Sequence, residues 1–312
     1  MTTFQLASVR KLRPRGVHVD AMHLITIGLI VLAGLAASGC TPAVPPSGTA
    51  GEVTPVAGAA ELGTPERVSV SGVVEPSGVT VDPQSGHLFV VGDEGSIAEL
   101  DADQAVMRSQ PMAPDVEDVA LHTPTGQLVA MMEDTSELMV LDPRTLTEVR
   151  RFPLDRAALL DTAPTGEPNE GFEGLAFRAD ASVPGGGVWY LTHQRLPAMV
   201  VELTFDPSAE AHPIGAESVV ARWEIPGTDE VNGITYVATL DRLLVVADRQ
   251  DMLVVLGLDG QQLAQLDLPG DKQEGVAVDA DGTLWIADDE GGSLLAFRDA
   301  VAVIEGALAD AP

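Results

Sequence analysis

The sequence predicts an all-β protein folded as a five-bladed β-propeller, and three observations support this prediction. A short phrase recurs five times, at 76–81 (PSGVTV), 116–121 (VEDVAL), 170–177 (EGFEGLAF), 231–236 (VNGITY) and 273–278 (QEGVAV). The copies are spaced roughly 40 to 60 residues apart, close to the blade period of known propellers. Each copy opens a series of short β-prone runs separated by Gly, Asp, Asn and Pro, which are turn signals.

The repeat units can be followed in chain order. The first unit reads GVTVDP, HLFVVGDE, SIAELD and AVMRSQPM, and the second and fourth units contain the same four β-prone runs. The third unit is longer, because insertions stand at 180–187 and 204–218, and a long loop is expected before it at 155–170. The fifth unit shows only three clear runs. Four units therefore supply a complete four-stranded blade and the last lacks a strand.

The missing strand is expected from the N-terminal side of the domain. Residues 67–74 (RVSVSGVV) alternate like a strand and precede the first unit. If they form the outermost strand of the last blade, the two chain ends are joined and the ring closes. The alternative is that residues 301–306 complete that blade.

The first 39 residues have the features of a lipoprotein signal peptide. Basic residues precede an apolar run from Met22 to Ala37, which ends in LAASGC with small residues before Cys40. Cys40 is the only cysteine, so no intrachain disulfide is possible and the thiol is the predicted lipidation site. Alternatives left open are an uncleaved membrane-spanning anchor and a start at Met22.

The predicted domain order is therefore a signal peptide at 1–39, a lipid-anchored flexible linker at 40–65 and the propeller at 66–312. The linker is rich in Pro, Gly, Ala and Thr and has no periodic pattern. We expect the domain to lie in the cell envelope, outside the cytoplasm and attached to a membrane by the lipid. Thr41 after the lipidated cysteine favours the outer membrane if the cell has one.

The charge composition bears on possible partners. The chain has 17 basic and 47 acidic residues, a formal net charge of −30. Nucleic acid is therefore an unexpected partner, because its binding depends on basic contacts to phosphates.

A ring of polar residues is predicted at one mouth of the propeller channel. The inner strand of each blade lines the channel, so the residue before the repeated glycine should face the axis, while the glycine itself allows a tight turn. Ser77, Glu117, Glu173, Asn232 and Glu274 hold this position. Asp118 stands in place of the glycine in the second unit and adds another acid.

A second column is predicted where the second strand of each blade ends. Its members are Asp93, Glu133, His193, Asp248 and Asp288, and it should lie beside the first ring. Clustered carboxylates repel one another, and a hard cation such as calcium, which takes six to eight oxygen ligands, would relieve this repulsion. The predicted metal ligands are Glu117, Glu173, Glu274, Asn232, Asp93, Asp248 and Asp288. The alternative is a solvated acidic rim.

Several of these segments resemble the SdiA-regulated family of β-propeller proteins, which is distantly similar to NHL-repeat propellers. The resemblance rests on PSGVTVDPQSGHLFVVGDEGSIAELD, VEDVAL, GFEGLAF, VNGITY, LDRLLVVADRQDMLVVLGLDGQ and QEGVAVDADGTLWIADDE, and it covers about residues 66–298. It implies a five-bladed propeller and bound calcium, expected first at Glu117, Glu173 and Glu274. The chain departs from the family pattern at Asp118 and at the end of the fifth unit, ADDE.

Two functions follow from these features. The first is a binding module that holds calcium at the channel mouth and recognises an unknown small molecule or envelope protein, with His193, Arg195 and Arg249 as candidate ligand-binding residues. The second is a calcium-dependent hydrolase of the lactonase, esterase or phosphoesterase type, in which His193, or a Glu or Asp, is a candidate general base.

Overall fold

The computed structural model describes residues 60–163, 165, 170–270 and 272–310. The predicted signal peptide, Cys40 and most of the predicted linker lie outside these residues. Two strands precede the first repeat, β1 (Ala60–Glu61) and β2 (Glu66–Ser69). Within the described part of the chain, no helix is both long enough and apolar enough to span a bilayer.

Five sheets form a ring, and the chain folds as the predicted five-bladed β-propeller. The strands of the first blade are β3 (Pro76–Val81), β4 (Leu88–Gly92), β5 (Ser96–Leu100) and β6 (Val106–Pro111). Those of the second are β7 (Val116–His122), β8 (Gln127–Met132), β9 (Glu137–Asp142) and β10 (Thr147–Pro153). Those of the third are β11 (Phe172–Ala179), β12 (Gly187–His193), β13 (Met199–Leu203) and β14 (Val219–Glu224).

The last two blades differ at their outer edges. The fourth contains β15 (Ile234–Val237), β16 (Arg242–Ala247), β17 (Met252–Leu256) and β18 (Gln262–Asp267). The fifth contains β19 (Gln273–Val278), β20 (Leu284–Asp288) and β21 (Ser293–Phe297), with β2 as its outermost strand. Strand β2 pairs antiparallel with β21, which confirms that an N-terminal strand closes the ring. It is shorter than expected, because a turn at Val70–Val73 and a positive φ at Gly72 end it before residue 74.

The alternative closure by residues 301–306 is wrong. These residues belong to helix α2 (Ala300–Ala309), which packs against β18 and β1 through a buried cluster that includes Ile304 and Leu62. Strand β1 adds a parallel fifth strand to the outer edge of the fourth blade, although the sequence placed it in the flexible linker.

The remaining helical segments lie between strands. Helix α1 (Arg156–Leu160) occupies the stretch that the sequence predicted as a loop before the third blade, and Leu159 and Leu160 are buried there. Short 3-10 segments are found at Pro184–Gly186, Ala216–Ser218 and Asp248–Gln250.

The hydrophobic core is divided among the junctions between neighbouring blades. The described residues form five apolar clusters, and each joins strands from two adjacent blades. The second and third blades share Phe152, Phe172 and Trp189, all fully or almost fully buried. Burial of apolar surface is the main favourable term in folding. The apolar contacts between neighbouring blades therefore stabilise the ring and fix the positions of the inner strands.

Candidate functional site

The repeated glycines bring the inner strands into direct contact at the axis. A Cβ atom built on Gly174 would lie 2.9 Å from the Cα of Gly233, and one on Gly233 would lie 2.7 Å from the Cα of Gly275. A Cβ atom built on Gly275 would lie 2.5 Å from the Cα of Gly78, and one built on Gly78 would lie 2.5 Å from the Cα of Asp118. Side chains cannot fit at such distances. None of the four glycines has a positive φ, so the predicted tight turn is wrong. Glycine is needed here because the neighbouring strands approach too closely for a side chain.

Asp118 closes the ring where the glycine is missing. Its side chain is buried, with 1% of the residue exposed. The Oδ2 atom accepts the backbone N–H of Leu175 from the third blade at 2.8 Å, and Oδ1 accepts the N–H of Val119 at 2.7 Å. The N–H of Val79 in the first blade also donates to this carboxylate. Asp118 thus ties three inner strands together, and the floor of the mouth is closed by backbone and one carboxylate.

Three glutamates from three blades converge above this floor, as the sequence predicted. Glu117 and Glu173 share a hydrogen bond between their carboxyl groups, and Glu274 interacts electrostatically with both. Burial, followed by repulsion from neighbouring acids, raises the pKa of Glu117 to about 8 and that of Glu274 to about 9. The same causes raise the pKa of Glu173, which is only 8% exposed, well above its usual range. We call the space around these three side chains the acidic well.

The other two members of the predicted ring face the backbone. The Ser77 hydroxyl donates to the carbonyl of Val116 at 2.5 Å, which joins the first two blades. The Asn232 amide oxygen lies 3.4 Å from the backbone nitrogen of Asp248, and its backbone carbonyl accepts the Thr192 hydroxyl. Asn232 therefore lies beside the well, whereas Ser77 is used in packing.

The second column is predicted correctly in three blades and is shifted by one residue in two. Asp93, Glu133 and Asp248 lie at the mouth, and burial is the main cause that raises the pKa of each. Strand pairing shows that His193 and Asp288 are the last paired residues of their strands, equivalent to Gly92 and Met132. Because successive residues of a strand point to opposite faces, a shift of one residue changes where the side chain points.

The mouth positions of the third and fifth blades are occupied by Gln194 and Asp289. The backbone N–H of Asp289 donates to Lys272, just as Asp93 donates to Glu75 in the first blade. Asp289 also raises the pKa of Glu274 through repulsion and accepts the Lys272 ammonium at 2.8 Å. Aligning the repeats by their strand ends, rather than by residue type, would have found both residues.

Asp288 is a structural residue, and its prediction as a metal ligand is wrong. It is 3% exposed and forms an ion pair with Arg67 of β2, whose guanidinium also donates to Ser293. This pair links the closing strand to the fifth blade.

His193 is fully buried and holds two loops together. Its Nδ1 lies 2.8 Å from the carbonyl oxygen of Pro197 and its Nε2 lies 2.8 Å from that of Glu170. Burial lowers the pKa of this imidazole. A neutral imidazole donates through one nitrogen only, and its single N–H serves a backbone carbonyl. Because the ring is also fully buried, neither nitrogen is open to a ligand or a substrate, and the geometry supports neither predicted role.

The two predicted ligand-binding arginines lie on the rim of the third and fourth blades. Arg195 is half-buried beside Gln194, and Arg249 is exposed with a long ion pair of 3.8 Å to Glu230. A third arginine, Arg156 of α1, was not predicted. It donates to the Glu170 carbonyl and lowers the pKa of Glu133, although burial raises that pKa overall. The mouth therefore carries arginines near the third and fourth blades as well as acids from every blade.

The residue types of the well suit calcium, but their placement does not form a calcium cage. Carboxylate and amide oxygens are the ligands that this ion prefers. Yet within the described ranges no group of three or more His, Cys, Asp or Glu side chains is arranged to hold a metal ion. Two of the three central glutamates are instead hydrogen-bonded to each other.

The fold is a five-bladed propeller in which three buried glutamates meet above inner strands that are in backbone contact. The sequence profile of the SdiA-regulated proteins matches residues 66–298, and the chain belongs to this family. No curated protein matches the chain.

Among solved structures, the chain is similar to glutaminyl cyclase from Myxococcus xanthus, with 11% identity and a TM-score of 0.52 over 75% of this chain and 94% of the other. It is also similar to virginiamycin B lyase from Staphylococcus aureus, with 14% identity and a TM-score of 0.41 over 75% of this chain and 74% of the other. A nidogen/laminin complex contains a third similar chain, with 17% identity and a TM-score of 0.47 over 73% and 77% of the two chains. At such low identities these similarities concern the fold alone.

Proposed function

We propose that this chain is an envelope lipoprotein whose propeller recognises a positively charged ligand in the acidic well. The observation that carries the proposal is the convergence of Glu117, Glu173 and Glu274 above a closed floor. Like charges raise one another's pKa values when they are brought together, so this arrangement is unfavourable without a counter-charge. A cation that enters the well restores the ionised form of the glutamates and recovers that free energy.

Calcium is the first cation to test, because the family resemblance implies it. Glu117, Glu173 and Glu274 would be its carboxylate ligands, with Asn232, Asp93 and Asp248 nearby. Bound calcium would neutralise the charge of the well. The Glu117–Glu173 hydrogen bond must open for both carboxylates to face the ion, so we expect proton release on binding at neutral pH.

The test is calorimetric titration of the full chain, in detergent, with calcium chloride. We expect binding that disappears when Glu117, Glu173 and Glu274 are all replaced by Gln. The matched control replaces three exposed glutamates away from the mouth, Glu210, Glu217 and Glu305, and carries the same change of net charge. Equal binding by both triple variants would show that the well is not the calcium site.

Anchoring by lipid at Cys40 is a separate part of the proposal. It is supported by the basic residues, the apolar run and the small residues that precede this cysteine. Cells fed a labelled fatty acid should incorporate the label into the chain, and Cys40→Ser should abolish incorporation. Fractionation of the same cells would then show which membrane carries the protein.

The hydrolase alternative has less support. One of its candidate general bases, His193, is fully buried against backbone oxygens, which leaves only a Glu or Asp of the mouth for that role. Recognition therefore remains the function that the geometry supports best.

A further inference from the structure

We propose that the outer edge of the first blade, strand β6, binds an extended segment of a partner protein. The segment carries an apolar side chain with a basic side chain two residues away, and it adds to the blade as a further strand. This inference goes beyond the acidic well, because it concerns the outer wall of the propeller. Three observations carry it: the unpaired edge of β6, a groove beside that edge and the charge of the groove.

Strand β6 pairs with β5 on one side and with no described strand on the other. The N–H of Met112, just after β6, donates to the carbonyl of Gly95, just before β5, at 2.9 Å. Bonding toward one neighbour alternates along an antiparallel strand, so Gln110 also points toward β5, and the N–H and C=O of Ser109 point away from it. Ser109 therefore presents an unpaired donor and acceptor, which is what an added strand needs.

The chain itself shows that a blade of this propeller accepts an added strand. In the fourth blade, β1 pairs parallel with the outer strand β18 through Ala60 and Glu61. No described segment takes the corresponding position beside β6. Strand β6 has six residues, whereas β2, the outer strand of the neighbouring fifth blade, has four. Because short edge strands resist pairing, β6 is the better edge of the two.

A groove of about 350 Å³ lies beside the end of β6. One wall is the turn that follows β2, which packs so closely that a Cβ atom on Gly72 would lie 2.8 Å from the Ser109 hydroxyl. Val74, just after this turn, also lines the groove and is 59% exposed. In an added strand, the residue opposite Ser109 points to the same face as Ser109, so an apolar side chain there would enter the groove and cover Val74.

The charge at the groove indicates the kind of partner. Glu94 is exposed and lines the groove together with Pro111, which is two residues from Ser109 and therefore on the same face of β6. A basic side chain two residues from the apolar one would thus lie near Glu94. The whole chain has a net charge of −30, so a second copy of it is repelled and a basic segment is attracted.

The experiment measures binding of the labelled peptide acetyl-Lys-Thr-Val-Thr-Lys-amide to the full chain, in detergent, by fluorescence anisotropy at an ionic strength of about 0.15 M. Ser109→Pro removes the outward N–H at a strand edge that tolerates proline, and it should weaken binding at least about fivefold. Ser109→Ala keeps that N–H and should bind like the parent. Glu94→Gln should weaken binding about two- to fivefold.

Two further peptides leave the protein unchanged. The order Thr-Lys-Val-Lys-Thr has the same composition and charge, but its basic and apolar side chains lie on opposite faces, so we expect weaker binding. The first peptide methylated at each backbone nitrogen keeps its side chains but has no N–H for β6, and it should lose most of its binding.

The outcomes that overturn the inference are distinct. Equal binding of the methylated peptide, or by Ser109→Pro, would show adhesion to an acidic surface, and no binding of any peptide would refute the docking edge. Equal binding of the two residue orders would refute the role of the groove. A dimer of the chain in sedimentation that Ser109→Pro abolishes would identify the occupant as a second copy and refute the proposed partner.

Discussion

Replacing Asp118 tests whether one buried carboxylate holds the inner strands together. In Asp118→Asn one carboxylate oxygen becomes an NH₂ group, which faces backbone N–H groups and cannot accept from them. In the parent protein the Asp118 carboxylate accepts the N–H of Leu175 at 2.8 Å and that of Val119 at 2.7 Å. Leaving one such buried donor unsatisfied costs about 1–3 kcal/mol, and the facing donors add repulsion.

We therefore expect Asp118→Asn to lower the free energy of unfolding by about 2–4 kcal/mol. For a domain of this size each kcal/mol shifts the Tm by about 2–4 °C, so the loss should be about 5–15 °C. Urea unfolding at pH 6, with far-ultraviolet circular dichroism and tryptophan fluorescence as two probes, measures it directly. A change smaller than about 0.5 kcal/mol would refute the bridging role of this residue.

Three further predictions concern the mouth and the ring. Without added cations, the stability of the parent should fall between pH 4.5 and about pH 9, because the pKa of Glu274 is raised in the fold, and Glu274→Gln should flatten this dependence in urea titrations. Gly233→Ala should lower the free energy of unfolding by at least about 2 kcal/mol, because the added methyl group overpacks against the next blade. Gly306→Ala, in α2 with open space around it, should raise the free energy of unfolding by about 0.5–1 kcal/mol in the same assay. Removing the Arg67 side chain should destabilise the fold by about 2–3 kcal/mol through the unpaired buried Asp288, and a double-mutant cycle should show that the two effects are not additive.

The blades were predictable because their signals are local. Hairpin turns and short apolar runs recur within each unit, and the alternation at 67–74 predicted a closing strand that forms at Glu66–Ser69. The alternative prediction of a strand at 301–306 was wrong because the apolar residues of this segment suit a strand as well as one face of a helix. A short apolar run does not distinguish the two. Packing on the fourth blade decides in favour of α2.

The site was predictable only in part, because its details depend on register and on contacts between blades. Glu117, Glu173 and Glu274 follow from the repeated phrase itself. His193 and Asp288 were misplaced because polar residues stand one position earlier in those two strands, and only the pairing with β11 and β19 reveals the shift. The reason for the glycines lies in backbone distances across the axis, which no single unit contains.

The acidic well makes a final prediction that separates a binding site from a merely acidic rim. The fold holds Glu173 beside two other carboxyl groups and away from water, which raises its pKa and lowers the stability of the cation-free protein at neutral pH. Glu173→Gln keeps the shape, removes the charge and should therefore raise the Tm in the absence of cations. The same variant should lose most of the Tm increase that a bound cation gives to the parent, since ligand binding stabilises only the state that binds it. A functional residue that is unfavourable for stability gives this opposite pair of effects. A solvated acidic rim gives neither, so a Glu173→Gln variant that melts and responds to cations like the parent would show that the well has no role in recognition.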